Sequence, residues 1–144
     1  MQRLVVQQSI FIIIYLLASA FSAAAAMPPY DRSTFIRFTA TVANAHTVRN
    51  PHVGKRGLHL IVKDRQNSYY MIHVCPQWYA NKYPDRFIFN QGDQLIISGA
   101  RFQTMLTPNN IYAATILNSS RNGQELKLRD PVTGKGLWNN MPEN

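Results

Sequence analysis

The chain has 144 residues, of which 46% are hydrophobic, and it carries fifteen Lys and Arg residues against seven Asp and Glu residues. This length supports one domain with a small core, which argues against a large multi-substrate enzyme. The single cysteine excludes an intramolecular disulfide, and the sequence has no CxxCH haem site, CxxC redox pair, Walker phosphate loop or GxSxG elbow.

The first 26 residues have the pattern of a secretory signal peptide. Arg3 precedes an apolar run over residues 10–21, and four alanines occupy residues 23–26. This combination of a basic start, an apolar middle and a small-residue end predicts cleavage near Ala26. An uncleaved membrane anchor is the alternative, because the apolar run is almost long enough to span a bilayer. Cleavage would remove one basic residue and leave a net charge of about +7 on the mature chain.

After a polar lead-in at residues 27–34, several short runs alternate between apolar and polar residues. Alternation with a period of two is typical of half-buried strands, and two such runs around a short polar linker predict a hairpin. Pro76 ends the third run, and the residues after it lack alternation, which favours a short helix. The predicted elements are a strand at 35–48, a hairpin at 57–64 and 69–75, a helix at 77–83, and strands at 94–102, 111–118 and 125–130.

This order predicts an all-β protein. Five strands with a short helix between strands 3 and 4 make an OB-fold-like Greek-key barrel, and the added last strand makes it five- to six-stranded. A generic small barrel or an SH3-like barrel is the alternative. Gly99, inside the fourth predicted strand, predicts a bulge or a sharp bend. We expect the barrel to occupy residues 35–130 and a C-terminal tail to occupy residues 131–144.

Four segments between residues 54 and 138 share a recognisable pattern. They read GKRGLHLIVKD, IHVCPQWY, FNQGDQLIISGARF and LKLRDPVTGKGLW. The pattern of a G-x-H-L hairpin, V-H-x-x-P-x-W-Y, a G-D pair before the next strand and a final L-R-D with L-W resembles small secreted or periplasmic bacterial OB-fold proteins of unassigned function. Cys75 departs from that pattern, which has Gly at this position. The resemblance implies the fold and an exported location, and it implies neither a ligand nor a catalytic residue.

Basic residues and one aromatic residue surround the predicted hairpin. A positive field on a small barrel attracts anions, and OB barrels bind single strands with basic grooves and stacking aromatic rings. The pattern therefore predicts an anionic ligand such as nucleic acid, an acidic polysaccharide or an anionic membrane surface. The alternative is that scattered charges only keep the protein dispersed. The candidate ligand-binding residues are Arg49, Lys55, Arg56, Lys63, Arg65 and Tyr69, together with His59 and His73.

A second candidate site combines His59, His73 and Cys75. With Leu60 in the core and paired with Ile72 or Val74, these three side chains point outward. His59 then lies opposite His73 or Cys75, because directly paired residues of a hairpin share a face. Two imidazoles and a thiolate suit copper or zinc. The alternative is local hydrogen bonding by the histidines with Cys75 as a small filler. We favour this alternative because the resembling pattern keeps both histidines and not the cysteine, so the sequence predicts no metal and no cofactor.

The sequence favours a binding module over an enzyme. Most carboxylates fall at turns, and no two are spaced as a coupled acid and base. We expect a periplasmic or secreted protein that binds an anionic ligand or an envelope protein through the outer face of strands 1–3 and the adjoining basic loops. The alternatives are metal handling and single-stranded nucleic-acid binding, the latter disfavoured by the exported location. Membrane contact is expected only through an uncleaved signal segment.

Overall fold

The computed structural model describes residues 27–49, 56–104, 107–121 and 123–143. The predicted signal segment lies outside these residues. Within the described ranges, no helix is long and apolar enough to cross a membrane. The elements are β1 (Phe35–Arg49), β2 (Arg56–Asp64), β3 (Tyr69–Pro76), α1 (Gln77–Lys82), β4 (Gln94–Phe102), β5 (Asn110–Asn118) and β6 (Glu125–Lys127), with short 3-10 turns at Arg32–Thr34 and Pro84–Arg86.

The six strands form one sheet in the order β3-β2-β1-β4-β5-β6, and β3 also pairs with β5. The β3–β5 pairing is parallel, whereas the other strand pairs are antiparallel. This extra pairing closes the first five strands into a barrel and leaves β6 attached to β5 outside it. The predicted all-β, OB-fold-like barrel with a short helix between strands 3 and 4 is therefore confirmed.

Five of the six predicted strands agree with the structure to within one residue at each end, and the last one does not. The sequence predicts a strand at 125–130, but β6 ends at Lys127. The N–H groups of Leu128 and Arg129 both donate to the carbonyl of Ala114, which breaks the regular ladder. The next residue, Asp130, then begins a turn that leads into the tail.

Alternating residues of the strands fill the barrel interior. The fully buried side chains include Leu60, Val62, Ile72, Val74, Leu95, Ile97, Ile111 and Ile116. Helix α1 adds Tyr79 and Ala80 to this core, and the Tyr79 ring lies 5.5 Å from the ring of Trp138 in the tail. Large aromatic side chains contribute much of the buried area of a small core, so α1 and the tail complete the barrel together.

The predicted irregularity at Gly99 is present. The β4–β5 register shifts between Ser98 and Gly99, so that Ala114 of β5 has no partner residue on β4. A Cβ atom on Gly99 would overlap the backbone carbonyl of Tyr112, and glycine is therefore required at this close approach. The extra residue keeps both Ile111 and Ile116 in the core although an odd number of positions separates them.

Candidate functional site

A row of three histidines crosses the outer face of β1, β2 and β3. His46 pairs with His59 in the β1–β2 ladder, and His59 pairs with His73 in the β2–β3 ladder. The ring centroids are 6.4 Å apart in the first pair and 4.4 Å apart in the second. The sequence predicts His59 opposite either His73 or Cys75, and the structure pairs it with His73. His46 was not predicted as part of this group, because its place depends on the β1–β2 register.

Two of these histidines belong to a directed chain of hydrogen bonds. Asn110 Nδ2 donates to the carbonyl of Thr107 at 2.6 Å, so its Oδ1 faces His73 and accepts from Nε2–H at 3.1 Å. A neutral His73 then has a lone pair on Nδ1, which accepts from His59 Nε2–H at 2.9 Å. The Nδ1 atoms of His59 and His46 are buried and have no hydrogen-bond partner among the described residues.

Burial keeps His59 and His73 neutral. Loss of hydration lowers the pKa of His59 to about 4 and the pKa of His73 to about 3, and a neighbouring imidazole lowers each further. Arg129 has a smaller effect in the same direction. A group that binds a proton so weakly is poorly suited to general-base catalysis at neutral pH. The chain of hydrogen bonds therefore acts as a fixed, uncharged link between β2, β3 and β5.

Cys75 lies in the core, and the prediction that it points outward with the histidines is wrong. The β2–β3 register shifts so that Leu58 pairs with Cys75, while Val74 has no partner residue. This bulge turns both Val74 and Cys75 inward, and Cys75 is only 5% exposed. Burial raises the pKa of the thiol to about 12. Cys75 therefore does not converge with His59 and His73, and the described residues contain no group of three His, Cys, Asp or Glu side chains that could hold a metal ion.

Aromatic side chains cover the β3 end of the histidine row. The rings of Phe102 and Tyr112 stack with centroids 4.0 Å apart, and they lie 4.9 Å and 5.8 Å from the His73 ring. Tyr112 Oη in turn donates to the carbonyl of Pro28 at 2.5 Å, and Tyr30 lies beside the same ring. The lead-in before β1 therefore extends over this part of the outer face.

Arg129 connects β3 to β5 from a buried position. Its Nη1 donates to three backbone carbonyls at 2.6–3.1 Å, those of His73, Val74 and Ala113. The guanidinium also lies 4.9 Å from the centre of the Trp138 ring. Burial lowers the pKa of Arg129 to about 10, so it remains charged at neutral pH. Carbonyl dipoles and an aromatic face thus stabilise the Arg129 guanidinium. The local sequence pattern around residue 129 does not predict this structural role.

From the histidine row, the outer face of the β2–β3 hairpin continues as a strip of paired side chains. Ile61 pairs with Met71, and Lys63 pairs with Tyr69 near the turn. Tyr69 is 57% exposed, and Lys63 Nζ lies 5.8 Å from the centre of its ring. We call Lys63, Arg65 and Tyr69 the hairpin tip. It is the exposed, cationic end of a strip whose other end is covered.

The structure brings together only some of the predicted ligand-binding residues. Lys63, Arg65 and Tyr69 lie at the hairpin tip, whereas Arg56 is exposed at the opposite end of β2. His59 and His73 are half-buried in the histidine row. Lys55 and the side chain of Arg49 lie outside the described residues.

Backbone N–H groups in turns engage several carboxylates. Asp64 accepts from the N–H groups of its own hairpin turn at 2.9 Å, and Asp93 and Asp130 accept in the same way in later turns. None of these three aspartates forms an ion pair within the described part of the chain. The donors of the hairpin tip are therefore available to a ligand, although Asp64 reduces the local field.

Comparison with known proteins identifies a family. A search of curated proteins finds no match to the chain, and a search of solved structures also finds none. The family model that matches is described as the MamS/MamX magnetosome protein family, and it covers residues 34–126. This range contains the histidine row and the hairpin tip and spans well over half of the chain. The chain therefore belongs to the MamS/MamX magnetosome protein family.

Proposed function

We propose that this protein is an exported, non-catalytic binding module associated with the magnetosome, and that the hairpin tip contacts its ligand or partner. The description of its family supports the association with the magnetosome. The signal-peptide pattern of residues 1–26 supports export, as does the resemblance to small secreted OB-fold proteins.

The pair of half-buried Lys63 and exposed Tyr69 is the observation that carries the proposal. Tyrosine and arginine are enriched among residues that contribute most to binding at interfaces, and Arg65 adjoins this pair. The half-buried pair Ile61 and Met71 extends the tip into a strip with an apolar middle and a cationic end. Such a surface suits a partner that offers both apolar contact and negative charge.

The chemistry of the remaining residues supports a binding role over a catalytic one. His59 and His73 are neutral and bonded to one another, and the Cys75 thiol is buried and protonated. Metal handling would require these histidines to exchange their mutual hydrogen bond for metal coordination, without help from Cys75. Single-stranded nucleic acid remains a second candidate ligand, because an exposed tyrosine beside a lysine can stack on a base.

Capture from envelope extract tests the proposal. The protein isolated from cells is immobilised as wild type, as the double variant Lys63→Glu/Tyr69→Ala, and as the control Lys135→Glu, which changes an exposed cation in the tail. We expect the double variant to lose about tenfold in bound partner or anionic ligand, while the control retains it.

Two further measurements on the same samples separate the alternatives. Binding of a single-stranded DNA probe that weakens steeply with salt and depends on Tyr69 would favour the nucleic-acid function. A stoichiometric copper or zinc ion that is lost at low pH would favour metal handling. Capture that is unaffected by the double variant would contradict the role of the hairpin tip.

A further inference from the structure

A groove lies between β6 and the irregular segment that follows α1, away from the hairpin tip. It has a volume of about 580 Å³. Residues 87–89 of the irregular segment line one side of the groove, and β6 lines the other. Its apolar lining includes Tyr79, Phe87, Phe89, Ile116, Leu126 and Leu137, and its cations are Arg86, Arg121 and Lys127.

The β6 side of the groove is an open sheet edge. Within the described residues β6 has β5 as its strand neighbour and none on its outer side. The chain adds its own segment to this edge just beyond β6, where Leu137 N–H donates to the Leu128 carbonyl at 3.0 Å and Arg129 bridges to Gly136. The tail turns away after Leu137, so the outer backbone groups of β6 stay available to another extended segment.

The opposite side of the groove also offers unpaired backbone groups. The N–H groups of Ile88 and Phe89 donate no hydrogen bond within the part of the chain that the structure describes. Ile88 is 39% exposed, and Leu137 at the end of the groove is 52% exposed. Exposed apolar side chains and backbone donors without a partner among the described residues therefore lie together on this surface.

We propose that this groove binds an extended acidic segment of a partner protein, which adds to β6 as a further strand. Strand addition gains backbone hydrogen bonds, and alternate side chains of the added segment would meet the apolar lining. The charge of the groove selects acidic residues for the remaining positions. Arg86, Arg121 and Lys127 outnumber Asp85 and Glu125, and Glu125 is already 3.9 Å from Arg37.

This inference concerns a surface other than the hairpin tip and does not depend on the proposed function. A strand three residues long offers few hydrogen bonds, so the apolar and charged contacts must contribute to the affinity. Specificity for an acidic segment should therefore be visible as a difference between peptides of equal length and opposite charge.

A synthetic peptide provides the test. The probe is a blocked peptide of about eight residues that alternates Val and Glu, long enough to extend beyond β6 at both ends. It is titrated into the ¹⁵N-labelled protein isolated from cells, and amide shifts are followed. We expect saturable shifts in residues 87–89 and 125–127. Two control peptides should bind at least about tenfold more weakly, one with Lys in place of Glu and one with N-methylated backbone at alternate positions.

Matched variants locate the interaction. Arg121→Glu/Lys127→Glu should weaken binding of the Val-Glu peptide about tenfold, whereas Lys63→Glu at the hairpin tip should leave it unchanged. Arg121 and Lys127 are exposed and Lys63 is half-buried, and the amide spectra of both variants verify the fold. The proposal is overturned by absent shifts at either side of the groove, by equal binding of the control peptides, or by equal effects of the two variants. Concentration-dependent shifts without peptide would overturn it in favour of a second copy of this chain.

Discussion

The two ends of the outer β2–β3 face carry polar residues with opposite environments. At one end, His59 and His73 are neutral and hydrogen-bonded to one another, and Phe102 and Tyr112 lie against the His73 ring. At the other end, Tyr69 is exposed beside charged Lys63. The side chains at both ends belong to the same two strands, where inward and outward residues alternate. Alternation therefore determines which face of the sheet a residue occupies. Whether that face meets water is determined by distant segments, here β4, β5 and the lead-in.

The largest loss of stability is expected at the covered end, on substitution of Arg129. Arg129→Met removes a charged donor that is hydrogen-bonded to three backbone carbonyls of β3 and β5. We expect the free energy of unfolding to fall by about 2–4 kcal/mol, measured by urea denaturation. Arg121→Met, which changes an exposed arginine, should cost less than about 0.5 kcal/mol. Equal effects of the two variants would contradict the structural role of Arg129.

Acid should destabilise the covered end next. The pKa values of His59 and His73 in the folded state lie below the ordinary value of 6.5, so the unfolded chain binds more protons as pH falls. Their contribution is complete above pH ~6.5 and is lost progressively toward pH ~3, the folded pKa of His73. We expect a loss on the order of 2 kcal/mol between pH 7 and pH 5.5. Urea denaturation at several pH values measures how steeply the free energy of unfolding changes with pH. This dependence should be weaker in the double variant His59→Asn/His73→Asn and unchanged in Lys63→Glu.

Cys75 separates the predicted orientation from the observed one. Because the thiol is buried, Cys75→Gly should cost about 1–2 kcal/mol of stability, from the cavity and from glycine in a strand. The native thiol should also react with a thiol reagent at neutral pH far more slowly than in the unfolded chain. Rapid labelling of the folded protein, together with a Cys75→Gly variant of unchanged stability, would contradict the buried position and support the predicted outward orientation of Cys75.

The smallest effect on stability is expected at the hairpin tip. Tyr69→Ala changes an exposed side chain and Lys63→Glu a half-buried one that forms no ion pair among the described residues, so each should alter the free energy of unfolding by less than about 0.5 kcal/mol. Thermal unfolding followed by circular dichroism would measure this. A larger loss would mean that the Lys63–Tyr69 pair stabilises the hairpin itself, and the tip would no longer contrast with the covered end.

Local patterns were sufficient to predict the fold. Alternation located the strands, Pro76 marked the start of α1, and Gly99 indicated the bulge in the β4–β5 pairing. The final strand was predicted too long because its pattern continues through Leu128, whereas the bulged carbonyl of Ala114 accepts from two successive residues and ends the ladder. That carbonyl belongs to another strand and leaves no signal in the sequence near residue 128.

The candidate site was predictable only where it depends on one hairpin. His59 and His73 lie on the two strands of one hairpin, so alternation places both on its outer face, and the structure selects His73 over Cys75 as the partner of His59. Cys75 was misplaced because a bulge shifts the β2–β3 register after His73, so that Val74 and Cys75 are both buried. The sequence gives no sign of this bulge, because strict alternation from Ile72 and Val74 would place Cys75 on the outer face. Asn110 and Arg129 reach the site from β5 and the segment after β6, and only the closed barrel brings them together.

Site-specific photocrosslinking in cells tests the central claim most directly. A photoreactive amino acid replaces Tyr69 at the hairpin tip and, as the matched control, Arg101, an exposed residue of β4. If the hairpin tip is the contact surface of a binding module, irradiation should crosslink position 69 to a discrete partner and give no such product from position 101. Equal products from both positions, or a product from position 101 alone, would contradict that account.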